Sequence, residues 1–182
     1  TATSQIPALI VTSAATAGQN ARIKTTTARW SGVLYGMYAR AHGLRFSSAT
    51  AGDIDIAFGW IATNAGATIY QEASASQAVL RVLNAGGNVD VPLELNLRAS
   101  GEGTKPHDLG ILVLPKAKRI VVTDGDDEVK VSETGLSYYD AAASWTDGAL
   151  QMSLAVTTKA AVAQGWKSSR FDVQLWHTGP TT

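Results

Sequence analysis

The densest cluster of chemistry-bearing residues is the acidic run Asp124, Asp126, Asp127 and Glu128 around Gly125. Calcium takes about six to eight hard oxygen ligands, and closely spaced carboxylates can supply several of them. The run lacks the roughly twelve-residue spacing of a helix–loop–helix calcium site. Asp and Gly also make up an ordinary hairpin tip, so a metal site and a solvated turn are both open readings. His42, His107 and His177 are scattered and form no paired zinc spacing. Serine is abundant, but no nucleophile elbow of the Gly-x-Ser-x-Gly type occurs. Neither phosphate-binding glycine loop is present, and Gly101-Glu102-Gly103 carries an acid that would repel a phosphate. Lys105, His107 and Asp108 fall in a glycine-rich polar loop, where a general base would be poorly held. No catalytic residue and no cofactor are therefore expected.

Aromatic rings are the second chemical resource, since a flat amphipathic ring serves both sugar stacking and subunit contact. Trp176 lies on the opposite parity from Phe171, Val173 and Leu175, so it should point away from the apolar face of its strand. Tyr138, Tyr139 and Trp145 cluster in an irregular stretch and form a second candidate contact patch. Ile6 and Leu9, in the short apolar run of the N-terminal segment, are further interface candidates. Trp60 is in phase with Ile56 and Phe58 and is expected in the core.

Strands must position these groups. Every odd residue from Val89 to Leu97 is apolar, and Asp90, Pro92, Glu94 and Asn96 fill the even positions. One face buried per two residues is the pattern of a half-buried strand. The same alternation runs through Ile54, Ile56, Phe58 and Trp60, through Leu150, Met152, Leu154 and Val156, and through Phe171, Val173 and Leu175. Residues 109–115 and 118–123 are continuous apolar runs suited to strands covered on both faces. Gly32 and Gly36 interrupt an aromatic-rich strand, as at a bulge or a close backbone contact. A single helical turn is expected within residues 157–163, closed by Gly165.

About a dozen strands at this spacing predict an all-β fold, a two-sheet antiparallel sandwich or jelly roll with at most one or two short helical turns. Residues 1–20 read as an N-terminal arm, and residues 21–182 as a single β-sandwich domain. The chain has 182 residues, enough to bury roughly 70% of its unfolded surface in one domain.

Composition narrows the partners. Lysine and arginine together number 15 and so do aspartate and glutamate, leaving no net field to gather nucleic acid or an acidic membrane. Charged residues make up only 16%, so the surface relies on neutral polar groups or is covered by other subunits. There are no cysteines, hence no disulfide framework and no thiol chemistry. The apolar run at residues 6–11 is far shorter than a signal-peptide core, and no run approaches a membrane span. Synthesis in the cytoplasm is the expectation.

The C-terminal stretch, with Leu150, Met152, Leu154, Thr157, Thr158, Gly165, Phe171, Asp172, Val173, Leu175 and Gly179, resembles a pattern in bacteriophage tail and baseplate structural proteins. There a strand is followed by a Thr-led turn, a glycine, and a closing Phe/Tyr-Asp-Val-x-Leu strand. Residues 51–60 look like the Gly-Asp-led first strand of such modules, although the usual preceding proline is missing. The resemblance implies a non-enzymatic virion subunit of the tail, baseplate, fibre-attachment, decoration or capsid type. Such a subunit would form homo-oligomers and contact other virion proteins through strand edges, the arm and aromatic patches. The alternative expectation is a carbohydrate-binding, lectin-like β-sandwich, possible with calcium at Asp124 to Glu128. A jelly-roll hydrolase ranks third, and needs a carboxylate pair about 5–10 Å apart.

Overall fold

The computed structural model describes residues 9–46, 54–97, 106–159, 161 and 164–177. In chain order the strands are Leu9–Thr12 (β1), Asn20–Lys24 (β2), Arg29–Trp30 (β3), Leu34–Phe46 (β4), Ile54–Ile61 (β5), Gly66–Gln71 (β6), Val79–Asn84 (β7) and Gly87–Pro92 (β8). They continue with His107–Leu114 (β9), Arg119–Asp124 (β10), Asp127–Glu128 (β11), Tyr139–Asp140 (β12), Ala149–Thr158 (β13), Gly165–Ser168 (β14) and Arg170–His177 (β15). The first sheet runs β1-β14-β4-β9-β10-β11, with β15 also on β4 and β12 also on β10. The second runs β2-β13-β5-β6-β7-β8, with β3 also on β13. The strand pairings described are antiparallel, so the chain is an antiparallel two-sheet β-sandwich.

The alternation read from the sequence is what glues the layers. Met37, Ala39 and Ala41 of β4 and Leu109, Ile111 and Val113 of β9 turn inward from the first sheet. They meet Ile54, Ile56, Phe58 and Trp60 of β5 and Leu150, Met152, Leu154 and Val156 of β13. Each buried Val, Leu, Ile, Phe or Met among them contributes about 1.5–3 kcal/mol of transfer free energy. The second sheet closes tightly at the β5–β6 turn, where a Cβ on Gly66 would overlap the Trp60 carbonyl oxygen.

The structure redraws several expected elements. The 89–97 ribbon stops as a strand at Pro92, where the ladder with β7 slips: Ala78 O still accepts from Leu93 N–H, but Ala78 N–H donates to Leu95 O at 2.8 Å instead. Val89 is exposed, while Leu93, Leu95 and Leu97 are buried in irregular chain. That segment is fixed by Leu93 N–H to Ala78 O at 3.0 Å and by Gln71 Oε1, which accepts from Leu97 N–H at 2.8 Å. Thr157 and Thr158, expected to open a helical turn, instead prolong β13, and Thr158 Oγ1 donates to Thr16 O at 2.7 Å. Among the described residues the helical element is one 3-10 turn, Ser31–Val33. Residues 9–12, read as part of an arm, form β1 and pair with β14 of the same chain, and β2 already begins at Asn20. Gly165 permits this, since its Cα lies against the Val11 carbonyl where a side chain would not fit. Ile6 lies outside the described residues.

Candidate functional site

Residues directly opposed in antiparallel strands project from the same face of the sheet. On β15 and β4 the pairs are Arg170 with His42, Asp172 with Arg40, Gln174 with Tyr38 and Trp176 with Gly36. Arg40 is opposed in turn by Gly110 of β9, and Gly110 by Thr123 of β10. These positions alternate with the core residues, so the first sheet presents them outward as one contiguous band across its centre.

Two aromatic rings reach over glycines of that band, which leave room for them. A Cβ on Gly36 would stand 2.8 Å from Trp176 Cε3, and a Cβ on Gly110 would stand 3.0 Å from Tyr38 Oη. Gly36, read from the sequence as a place of close contact, thus seats the Trp176 ring. Trp176 remains 42% exposed, consistent with its predicted outward direction.

Between the rings runs a charge network. His42 Nε2 is 2.8 Å from Asp172 Oδ2, which also receives Arg170 Nη2 at 2.7 Å. Asp172 is held below the usual carboxylate range, chiefly by the hydrogen bond from His42 and further by Arg170, with burial opposing. Arg40 Nη2 donates to Gly125 O at 3.0 Å and lies 3.5 Å from Asp108 Oδ2. Asp108 Oδ1 accepts from Gly43 N–H at 2.7 Å. Two polar atoms of the band, Arg40 Nε and Thr123 Oγ1, are buried without a hydrogen-bond partner, on either side of Gly110. An unmatched buried polar atom costs about 1–3 kcal/mol, so both subtract from the stability of the band.

The expected site residues divide. Trp176 belongs to the band, and Tyr138 lies at its far margin, its ring 4.7 Å from the Arg119 guanidinium carbon. Asp126 reaches the band as a fully exposed carboxylate 3.9 Å from Arg40 Nη2. Asp124 is committed elsewhere, accepting from Asp108 N–H at 3.0 Å and lying 2.7 Å from buried His107 Nδ1. Asp127 and Glu128 point into solvent as the β11 half of the hairpin. Among the described residues no three His, Asp or Glu side chains gather closely enough to hold a metal ion.

Trp145 corrects the second aromatic patch: it is a core residue at 8% exposure, its indole N–H donating to Asp147 Oδ1 at 2.9 Å. Tyr139 pairs with Ile120 through β12 and packs on the core, so this loop is folded inward rather than offered to a partner. Leu9, 44% exposed, lies on the β1 edge, at the opposite end of the sheet order from β10. Sequence reading did not bring Tyr38, Arg40, His42, Asp108 and Asp172 together as one site. Their only local signal is parity opposite to Met37, Ala39 and Ala41, together with a strand-interior glycine at Gly110.

The outer face of the second sheet is polar as well, but its groups are matched. The Arg81 guanidinium covers the Tyr70 ring at 3.7 Å and forks onto Asp90 at 2.7 and 2.6 Å. Lys159 pairs with Asp55 at 2.7 Å.

No protein-family model and no curated protein matches the chain. Solved structures do. A protein of unknown function from Shewanella oneidensis MR-1 aligns with TM-score 0.59 at 12% identity, over 96% of this chain and 72% of that one. An endo-1,3-beta-glucanase from Streptomyces sioyaensis aligns with TM-score 0.55 at 10% identity, over 94% and 76%. The exoplasmic/lumenal domain of VIP36, in a Ca2+/Man3GlcNAc-bound form, aligns with TM-score 0.51 at 10% identity, over 95% and 85%. At these identities the likeness concerns architecture, and the chain shares its two-sheet antiparallel sandwich with all three.

Proposed function

We propose that this chain is a non-catalytic carbohydrate-binding β-sandwich that holds a sugar on the outer face of its first sheet. The observation that carries the reading is the pair of glycine-seated rings, Trp176 over Gly36 and Tyr38 over Gly110, flanking planar hydrogen-bonding groups. Sugars offer an apolar C–H face and a rim of hydroxyls. Flat rings suit the first, and Arg40, Gln174 and Asp172 suit the second. The fold is compatible, since VIP36 carries Man3GlcNAc on this architecture. Fold alone does not fix function, which is why the proposal rests on the face.

The carboxylates of the band favour binding over hydrolysis. A glycosidase acid needs a raised pKa so that it holds a proton at neutral pH. Asp172 is shifted the opposite way, and Asp108 is tied to the Gly43 amide and Arg40. The test is a glycan array followed by titration of the best ligand against wild type and Trp176→Ala. Saturable binding that drops about tenfold or more in the variant supports the reading. An array without any saturable binder, or a ligand indifferent to Trp176, removes it.

A second reading, assembly into a larger particle as the phage-protein resemblance implies, is favoured by one specific observation. The edge strand β1 presents Leu9 and Ile10 at 44% and 67% exposure. Edge strands with exposed apolar residues pair with other chains unless guarded. Sedimentation of wild type and Ile10→Lys distinguishes it: an oligomer that the lysine dissolves supports assembly, and a monomer at all concentrations refutes it.

A further inference from the structure

β15 should have been a core strand by its sequence, since Val173 and Leu175 oppose the fully buried Ala39 and Met37. Yet Val173 is 41% exposed. The reason is a gap along the edge of the sandwich. β15 borders the first sheet, while the second is bordered by β2 and β3, and residues 25–27, all threonine, loop out between them. The loop is pinned rather than loose. Thr25 N–H donates to Met152 O at 3.0 Å, Thr25 Oγ1 accepts from Met152 N–H at 3.2 Å, and Gln151 Nε2 donates to Thr25 O at 2.8 Å. The gap is a cavity of about 240 Å³ lined by those threonines, Arg29, Trp60, Val173 and Leu175.

We infer that this cavity is a binding site for a short amphipathic carboxylate, separate from the sugar-binding face. Arg29 reaches the cavity from β3 as an exposed guanidinium, with no carboxylate partner among the described residues. An anionic head matches it best, since carboxylate oxygens accept from its N–H groups. Val173, Leu175 and the Trp60 ring supply apolar wall, which a bare inorganic anion would leave uncovered and a hydrocarbon tail fills. At about 30 Å³ per water, the cavity has room for roughly eight heavy atoms, the size of hexanoate.

The test is titration of the whole chain with hexanoate, hexanol and acetate, followed by the Trp60 indole N–H resonance. The site predicts a saturable shift with hexanoate at a Kd of about 1 mM or tighter, and binding about tenfold weaker for hexanol, which lacks the charge, and for acetate, which lacks the tail. Arg29→Gln, at an exposed position, should weaken hexanoate by about tenfold and leave hexanol unchanged. An unmoved Trp60 resonance at saturating hexanoate overturns the proposal. So does equal affinity for hexanoate and hexanol, or an Arg29→Gln variant that binds hexanoate as wild type does.

Discussion

Replacing Gly36 by alanine separates the stability of the first sheet from the readiness of its outer face. The new Cβ would stand 2.8 Å from Trp176 Cε3 and 3.3 Å from Leu114 Cδ2. Carbon atoms rest at about 3.5–4.0 Å, so the indole must retreat by ~0.7–1.2 Å. A gap of that order forfeits roughly a quarter to a half of the dispersion well at each contact it opens. Opposing this, alanine removes unfolded-state freedom worth about 0.4–1 kcal/mol where the backbone tolerates it, and Gly36 is not one of the positive-φ glycines. The two effects nearly cancel, leaving a stability change within about 1 kcal/mol. Ring position has no such compensation. Urea unfolding should therefore be almost unchanged, the Trp176 indole resonance should shift, and sugar affinity should fall about tenfold, equivalent to about 1.4 kcal/mol. An unmoved Trp176 resonance with unchanged affinity would refute the claim that the glycine seats the ring.

Gly66→Ala should behave in the opposite way. Its φ of 127° and the overlap with the Trp60 carbonyl admit no side chain, so a loss above ~3 kcal/mol is expected in urea unfolding. Leu154→Ala, at a fully buried site between the layers, should cost about 2–5 kcal/mol by the same assay. Asp172 has a folded pKa below its unfolded one, so its pairing stabilises the fold at neutral pH. That contribution is lost as pH falls from about 4 through the folded value. With a carboxylate still 30% exposed the effect is at most about 1 kcal/mol, and Asp172→Asn should flatten that part of the urea midpoint against pH. Calcium at millimolar concentration should leave Tm unchanged, because the Asp124 to Glu128 carboxylates do not converge.

The sandwich was legible because alternation is local. Ile54 to Trp60 and Leu150 to Val156 declare their buried faces without reference to any partner, and a strand's two-residue period carries that information along the chain. Boundaries were less legible. The ladder with β7 slipped after Pro92 while the apolar period ran on to Leu97, since burial of alternate side chains does not require regular ladder hydrogen bonds. Trp145 was misread because an isolated aromatic in irregular chain carries no parity, and its burial depends on an acceptor, Asp147, that the fold places beside it.

Sequence by itself determined the class of fold, the inward identity of most core residues, and the outward direction of Trp176. Tertiary structure alone decided the band on the first sheet. Arg40, Gly110, Thr123 and Asp172 are far apart along the chain and are brought into line by the registers of β15, β4, β9 and β10. It also decided that Val173 and Leu175 line a gap instead of a core, because that depends on how far the opposite sheet reaches. Cross-strand register and the fit of one layer over another are set by long-range pairing, and no local pattern of residues encodes them.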